Sequence, residues 1–441
     1  MPKSKIAIIC SGWGGFTLAH ELSLAKYDVT VISPMRTIQY TPLLASAAAG
    51  MINFRLAEEP VRRRNRVSGL HYYKATVDDI DFARKTLHCS PSVPDVADNH
   101  LSHSHTFTMP YDILILAPGC TVQTFGTPGA VQHAHFLRTT DDVRQIQQRL
   151  LEMLDAASTP GLTRTQQRDM LRVVVVGGGA IGNEATAELY DLWQHDLRFL
   201  YPHLDTSGEE GGGGGALFSI EVHDVAPVIL GTFDDRLAGY ALHKLQSRSV
   251  HIETGSHITK VEGGVIYTKE HGEDRPLGYG MLIWATGNGV NPLVEKMQEV
   301  QKAGKLQRIV TDRRLRTGHD GEIMPDVYAL GDCADIEGYA LPTLAEVAVQ
   351  KAEYLARQLN AAEEEELQAP SFVYKQKPNL AYLGQHDGVI GGREEWTGHS
   401  AWLAWRSGSI FHWPRSWRRT LMIGISWLFN AVGGRDIARR W

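Results

Sequence analysis

Cysteine is scarce in this chain of 441 residues, which has four, at positions 10, 89, 120 and 333. None lies in a CxxC or zinc-type spacing, which excludes a structural zinc module and makes a reducing compartment the simpler setting. An excess of one charge is missing too. Against 50 Asp and Glu stand 44 Lys and Arg, and the formal charge of −6 argues against a whole-chain nucleic-acid binder. No apolar run is long enough to span a bilayer. No Arg-rich amphipathic leader or signal-type segment precedes the first strand pattern, so import without a cleaved presequence, a cytosolic protein and a processed form all stay open. The length leaves room for two or three domains.

What is present centres on Arg172 and the valines Val173–Val176, followed by Gly177, Gly178, Gly179, Ala180, Ile181 and Gly182. Four consecutive β-branched residues suit a strand buried on both faces of a parallel sheet. Gly177, Gly179 and Gly182 allow a tight turn, close approach of backbone to a pyrophosphate, and close helix-to-strand packing. The helix that follows points its N-terminus at the phosphates.

A similar pattern opens the chain. Lys5–Ile9 predicts a strand, Cys10, Ser11, Gly12, Trp13, Gly14 and Gly15 a turn, a helix runs to about Lys26, and Val29–Ile32 is a second strand. Cys10 stands where the fingerprint has its first glycine, and its Cβ tightens the turn. Ser33 rather than an acid ends the second strand. Three further segments predict buried strands ending in small residues: Tyr111–Leu116 before Ala117, Pro118 and Gly119; Met281–Trp284 before Ala285, Thr286 and Gly287; and Asp326–Leu330 before Gly331, Asp332, Cys333 and Ala334. Two dinucleotide-binding starts in this order imply one fold nested in another, as in flavoproteins that bind FAD first and a nicotinamide nucleotide second. Asp332 would then meet the ribityl chain of the flavin.

Less informative segments lie between. Residues 66–110 predict a β-meander with strands at Lys74–Val77 and Lys85–Cys89. His100, His103 and His105 sit in its polar loop, where a solvated hairpin explains them as well as a metal does. Residues 207–215 read as a flexible Gly-rich loop and 360–367 as a solvated acidic linker.

Together these residues resemble the type II NADH dehydrogenases, single-chain NADH:quinone oxidoreductases of bacteria and of fungal and plant mitochondria. The resemblance covers nearly the whole chain and is most specific at Tyr40, Thr41, Pro42, Leu43 and Leu44, and at the Phe125–Gly129 run. It implies an α/β fold of two Rossmann-like dinucleotide-binding domains, for FAD and NADH, the second inserted in the first, plus a C-terminal amphipathic helical segment. The expected ranges are 1–125 and 295–368 for FAD, 126–294 for NADH, and 369–441 for membrane association or dimerisation. Non-covalent FAD falls to Ser11, Gly12, Trp13, Gly14, Gly15, Ser33, Thr41, Pro42, Ala117, Gly119, Asp332 and Ala345. NADH falls to Gly177, Gly179, Gly182, Asp224, Thr286 and Gly287. Asp224, at the end of the Ile220–His223 strand, matches the acid on the adenosine ribose, which repels a 2′-phosphate and favours NADH over NADPH. Glu184 corresponds to a carboxylate near nicotinamide and flavin; read by itself, it is equally an acid stabilised at a helix N-terminus.

Disulfide reductases of this architecture carry a cysteine pair soon after the first glycine turn. Tyr40–Gly50 has none, so the electrons leave for a non-thiol acceptor. In the resemblance that acceptor is a quinone, lined by the helix containing Ala345, Glu346 and Gln350. Two glutamines four residues apart are usual there, on one helix face. Here the first is Glu346, which donates a hydrogen bond only when protonated. Glu184, Glu346 and Gln350 are the candidate catalytic residues.

From Trp402 to Trp441 there are six tryptophans (402, 405, 413, 417, 427, 441), seven arginines and one acid, Asp436. Thr420–Val432 is apolar but too short to span a bilayer, and Pro414 interrupts the first helix of the segment. Trp and Arg beside a short apolar helix match a peripheral membrane anchor, with a Trp-rich dimer interface or core helix as the other reading. The resemblance adds a homodimer and the mitochondrial inner membrane. A soluble or peripheral FAD enzyme of specialised metabolism, acting on a non-quinone compound, remains a distinct alternative. So does a flavoprotein that has lost its chemistry.

Overall fold

The computed structural model describes residues 2–62, 69–93, 106–205, 217–270, 273–361, 370–392, 396–411, 417–435 and 437. The histidines at 100, 103 and 105, the glycine run 207–215, the acidic stretch from 362 and Pro414 lie outside the described residues. Among the described residues no group of His, Cys, Asp and Glu is arranged to hold a metal ion.

Two compact units emerge. The first comprises Met1–Ile38, Glu59–Thr121 and Asn288–Gln376; the second comprises Gln39–Glu58, Val122–Gly287 and Lys377–Trp441. Relative to the ranges expected from sequence, Gln39–Glu58 and the C-terminal segment cluster with the second unit.

In the first unit five strands run parallel in the order Glu322–Ala329, Ile113–Leu116, Ser4–Ile9, Tyr27–Ser33 and Leu70–Asp81. Side chains alternate between the two sheet faces. Ile6 and Ile8 join one core with Phe16, Leu18, Val347 and Leu355, while Ala7 and Ile9 join another with Leu114, Leu116 and Ala329. Helices Trp13–Glu21 and Ala345–Asn360 pack on each other and on the first of these cores. The first helix ends earlier than the sequence suggests, because Leu22 is already extended. Both strands expected in the 66–110 meander form, within Leu70–Asp81 and Thr86–Pro91. They pair antiparallel, and Phe107–Pro110 adds the third strand.

The second unit has its own parallel sheet, ordered His135–Phe136, Met281–Trp284, Arg172–Val176, Ser219–Asp224 and His251–Thr254. Val173, Val174 and Val175 are fully buried at its centre, as four consecutive valines demand. Helix Ala180–Leu192 follows the glycine turn and is buried at every position from Gly182 to Leu189. On one side it meets the sheet; on the other it packs against Asn379–Gly384, which pairs with Asp387–Gly391. A helix covered on both sides must bury whatever polar residues it carries.

Helices His399–Phe411 and Trp417–Gly433 complete this unit. Trp402 and Trp405 are core residues, with the Trp405 ring stacked on Tyr382 at 5.0 Å, so they do not face a bilayer. Trp417, Leu421, Met422, Ile425, Leu428, Phe429 and Val432 are exposed, Val432 by 85%. The apolar character of this stretch therefore divides between a packed side, with Ile423, and an uncovered one. Among the described residues no helix is long and apolar enough to cross a membrane.

Candidate functional site

Each unit carries a glycine turn between a buried parallel strand, Ser4–Ile9 or Arg172–Val176, and the following helix, and the two turns share one contact. A Cβ on Gly15 would lie 2.2 Å from the Cys10 carbonyl oxygen, and one on Gly182 would lie 1.9 Å from that of Gly177. In both, the third glycine lets the helix rest directly on the carbonyl of the residue that opens the turn. Gly177 has φ 110° and Cys10 has φ 72°. Cys10 thus adopts the left-handed conformation that its glycine counterpart reaches without strain, at a cost of about 1–2 kcal/mol. The narrowing expected from its Cβ is absorbed in that way, and the turn keeps its shape. Burial pushes the Cys10 thiol up to about 12, so it is not a thiolate nucleophile.

Both helix N-termini lack a side-chain cap and an acid in the first turn. Their first N–H groups therefore present a positive end to an external phosphate, and this arrangement fits a dinucleotide pyrophosphate. The two turns differ at the end of the second strand. Asp224 accepts from the Gly178 N–H at 2.5 Å and the Ala226 N–H at 2.8 Å, which places its carboxylate against the second turn where a ribose would lie. In the first unit the Ser11 hydroxyl donates to the Ser33 hydroxyl at 2.9 Å, and the Ser33 oxygen accepts from the Met35 N–H at 3.2 Å. A pair of hydroxyls stands there in place of a carboxylate.

The remaining expected contacts divide between the units. Ala117 is buried and its N–H donates to the Ile9 carbonyl; the Gly119 carbonyl accepts from Asn291. Half-buried Asp332 follows Gly331, whose φ is 84°, and the Asp332 carbonyl accepts from Arg308. Ala345 opens a 16-residue helix that has no side-chain cap at Leu344. Trp13 lies at the start of the first helix, with Gly14 against Leu330 and Ala348. Thr41 and Pro42 open a short 3-10 turn and belong to the second unit. Thr286 donates to the Gln123 carbonyl, and the Gly287 carbonyl accepts from the Gln123 N–H at 3.1 Å.

The candidate catalytic residues lie in two places. In the first unit Gln350 donates to Glu346 Oε1 at 2.7 Å and to the Lys375 carbonyl at 2.9 Å, and its own carbonyl accepts from the Lys375 N–H. The amide is thereby fixed in orientation, and the pair on one helix face acts as a unit. In the second unit Glu184 is buried and accepts from the Trp405 indole at 2.9 Å and from the Tyr382 backbone N–H. Burial pushes its carboxyl up to about 8, with Glu188 reinforcing the rise and both hydrogen bonds opposing it.

Several residues near these sites went unassigned in the sequence. Asn183 donates to the carbonyls of Gly178 and Gly179 and holds the second turn. Lys351 is fully buried and donates to the Ala334 carbonyl at 3.3 Å; burial and neighbouring Arg308 push it down to about 8. Glu188, at the i+4 position from Glu184, is fully buried and paired with Arg435. The only signal for Glu188 was its helical spacing, and for Arg435 its place among the seven arginines of the tail.

Gly182→Ala is expected to lose about 1–3 kcal/mol in denaturant unfolding through overpacking on Gly177. Gly179→Ala, whose Cβ would meet nothing within 4 Å, stays within about 1 kcal/mol of the parent yet weakens NADH binding, read by titration calorimetry. Because the Glu184 carboxyl is raised from 4.5 to about 8 on folding, the folded chain binds the extra proton between those values. Stability should therefore fall across that window as pH rises, relative to Glu184→Gln, when unfolding midpoints of the two are compared.

Comparison with known proteins agrees with this geometry. The chain is 31% identical over 436 residues to a probable NADH dehydrogenase of Dictyostelium discoideum, covering 98% of this chain and 91% of that one. It is 32% identical over 339 residues to the external alternative NAD(P)H-ubiquinone oxidoreductase B1 of Solanum tuberosum mitochondria, covering 76% of this chain and 56% of that one. Its fold matches the NDH2 of Plasmodium falciparum, solved in complex with NADH, with a TM-score of 0.87 at 23% identity over 99% of this chain and all of the other. With residues 4–352 matching the pyridine nucleotide-disulphide oxidoreductase pattern and a glycine turn in each of two parallel-sheet units, the chain belongs to that family.

Proposed function

We propose that this chain is an FAD-dependent oxidoreductase that takes hydride from NADH and passes two electrons to a quinone. The observation that carries this reading is the duplicated glycine turn, closed by hydroxyls at Ser11 and Ser33 in one unit and by the Asp224 carboxylate in the other. The first unit would hold FAD through its turn, Asp332 and the start of the Ala345 helix. The second would hold NADH through Gly177, Gly179, Gly182 and Asp224. Bound FAD supplies the two-electron chemistry, accepting hydride and releasing the electrons to the acceptor. Asp224 accepts hydrogen bonds from the adenosine ribose hydroxyls and repels a 2′-phosphate. Among the four cysteines no pair replaces the quinone as acceptor, since the half-buried Cys10 and the buried Cys333 are thiols raised far from ionisation. Gln350, oriented by Lys375, fixes Glu346 at the acceptor end, where the carboxyl can move a proton once it is protonated.

The exposed stripe of helix Trp417–Gly433 supports a peripheral membrane contact, which would bring the protein to its acceptor. The mitochondrial setting of the Solanum tuberosum relative makes that organelle's membrane the compartment we propose.

Stopped-flow mixing with NADH should bleach the flavin of the purified protein, faster than with NADPH, and Asp224→Ser should narrow that preference. A short-chain ubiquinone analogue should then reoxidise the flavin faster than oxygen does, and Gln350→Ala should slow that second step without slowing the first. Bleaching by NADH with no quinone outpacing oxygen would sink the quinone assignment and favour an acceptor of another class. Replacing Leu428 and Phe429 together with Glu should lower the vesicle-bound fraction at least about tenfold in flotation, while flavin bleaching stays unchanged.

A further inference from the structure

Between strand Glu322–Ala329 and helix Ala345–Asn360 the chain reverses at Gly331, φ 84°, and presents three successive backbone carbonyls at Asp332, Cys333 and Ala334. Two adjacent residues of another strand take all three. Arg308 Nε donates to the Asp332 carbonyl at 3.2 Å, the Ile309 N–H to that of Cys333 at 2.8 Å, and Arg308 Nη2 to that of Ala334 at 2.7 Å. Strand Arg308–Thr311 then runs parallel to Ala334–Ile336, which continues the same hold.

The guanidinium is itself locked. Its Nη1 donates to the Asp335 carboxylate at 2.9 Å and to the Leu341 carbonyl at 3.0 Å, while the other oxygen of Asp335 accepts from the Ile336 and Leu341 N–H groups. One side chain, 11% exposed, therefore ties together four points of the segment 332–341. An ion pair with Asp335 alone would account for one of them. A planar fork of N–H donors reaches two carbonyls of the turn and the carboxylate at once, and an ammonium has no such fork. Lys351, from the helix, adds a second donor to the Ala334 carbonyl at 3.3 Å. With Gly331 left-handed before it and its own carbonyl held after it, Asp332 has a fixed backbone. The direction in which its side chain leaves the turn is fixed with it.

We propose that Arg308 is a positioning residue for FAD binding: by holding the Asp332 and Ala334 carbonyls, it aims the Asp332 carboxylate at the ribityl hydroxyls of the flavin. This rests on the reading above, in which the first unit holds FAD and Asp332 is one of its contacts. Arg308 acts in this role through Asp332 and not on the cofactor.

Release of FAD from the flavin-loaded full chain, read as the rise of flavin fluorescence on dilution, tests the assignment in a double-variant cycle. Asp332→Ala and Arg308→Gln should each release FAD at least about tenfold faster than the parent, as loss of a hydrogen bond to a charged group implies. The double variant should stay within about twofold of Asp332→Ala alone, because no carboxylate is left to aim. Arg308→Lys keeps a charge opposite Asp335 but lacks the fork, and should release FAD like Arg308→Gln. If Arg308→Gln does not fold, Arg308→Lys with and without Asp332→Ala runs the same cycle. At saturating FAD, the visible circular dichroism of the bound flavin should change alike in the Arg308 and Asp332 single variants. Losses that add in the double variant, parental release in Arg308→Lys, or an unchanged flavin spectrum in the Arg308 variants would each overturn the proposal and leave the assignment of Asp332 standing. Parental release in Asp332→Ala would overturn both. None of these readouts depends on NADH or on an acceptor.

Discussion

The contact on which both units depend is the resting of a helix glycine on a carbonyl oxygen of the preceding turn, Gly15 on Cys10 and Gly182 on Gly177. It sets how closely the helix approaches its strand, and so where the first N–H groups of the helix point. Everything a dinucleotide needs from this fold follows from that approach: an uncapped positive end, a tight turn beneath it, and a second strand ending beside it. At Cys10 the same approach survives without the first glycine, because the backbone accepts a left-handed conformation there. The constraint is therefore on the third position, where no side chain fits, more than on the first.

The second unit adds a layer that a plain dinucleotide fold lacks. Its helix Ala180–Leu192 is covered on the far side by the strand Asn379–Gly384, and Trp405 of helix His399–Phe411 reaches Glu184 from there. Coverage of both faces turns what is ordinarily the polar face of a surface helix into an interior. Glu188 is met there by the Arg435 guanidinium, whereas Glu184 is met by the Trp405 indole, and burial pushes its carboxyl up.

Much of this was legible in the sequence because it rests on local pattern. Four valines before a glycine turn specify a central parallel strand whatever surrounds them, and Asp224 follows from its place at the end of the next strand. The left-handed backbone at Cys10 was not legible, since the residue type announces only a departure from glycine. The tail was legible only in part, for a different reason. Six tryptophans among arginines describe an interfacial composition, but composition does not say which face of a helix a neighbour covers. Trp402 and Trp405 are buried while Trp417 is exposed. Arg435 was visible only as one more cation. Its partner Glu188 is 247 residues away, and no periodicity spans that distance.

That separation bears on how the molecule is made. The parallel strands and the helix bearing Glu188 leave the ribosome long before residue 435 does, and domains otherwise tend to fold as they emerge. Until the tail arrives, Glu188 lacks the Arg435 guanidinium, and water must satisfy it instead. The second unit therefore lacks one of its buried ion pairs during most of its own synthesis. Docking of the tail is the step that converts a partly formed sheet domain into one able to hold its buried acids.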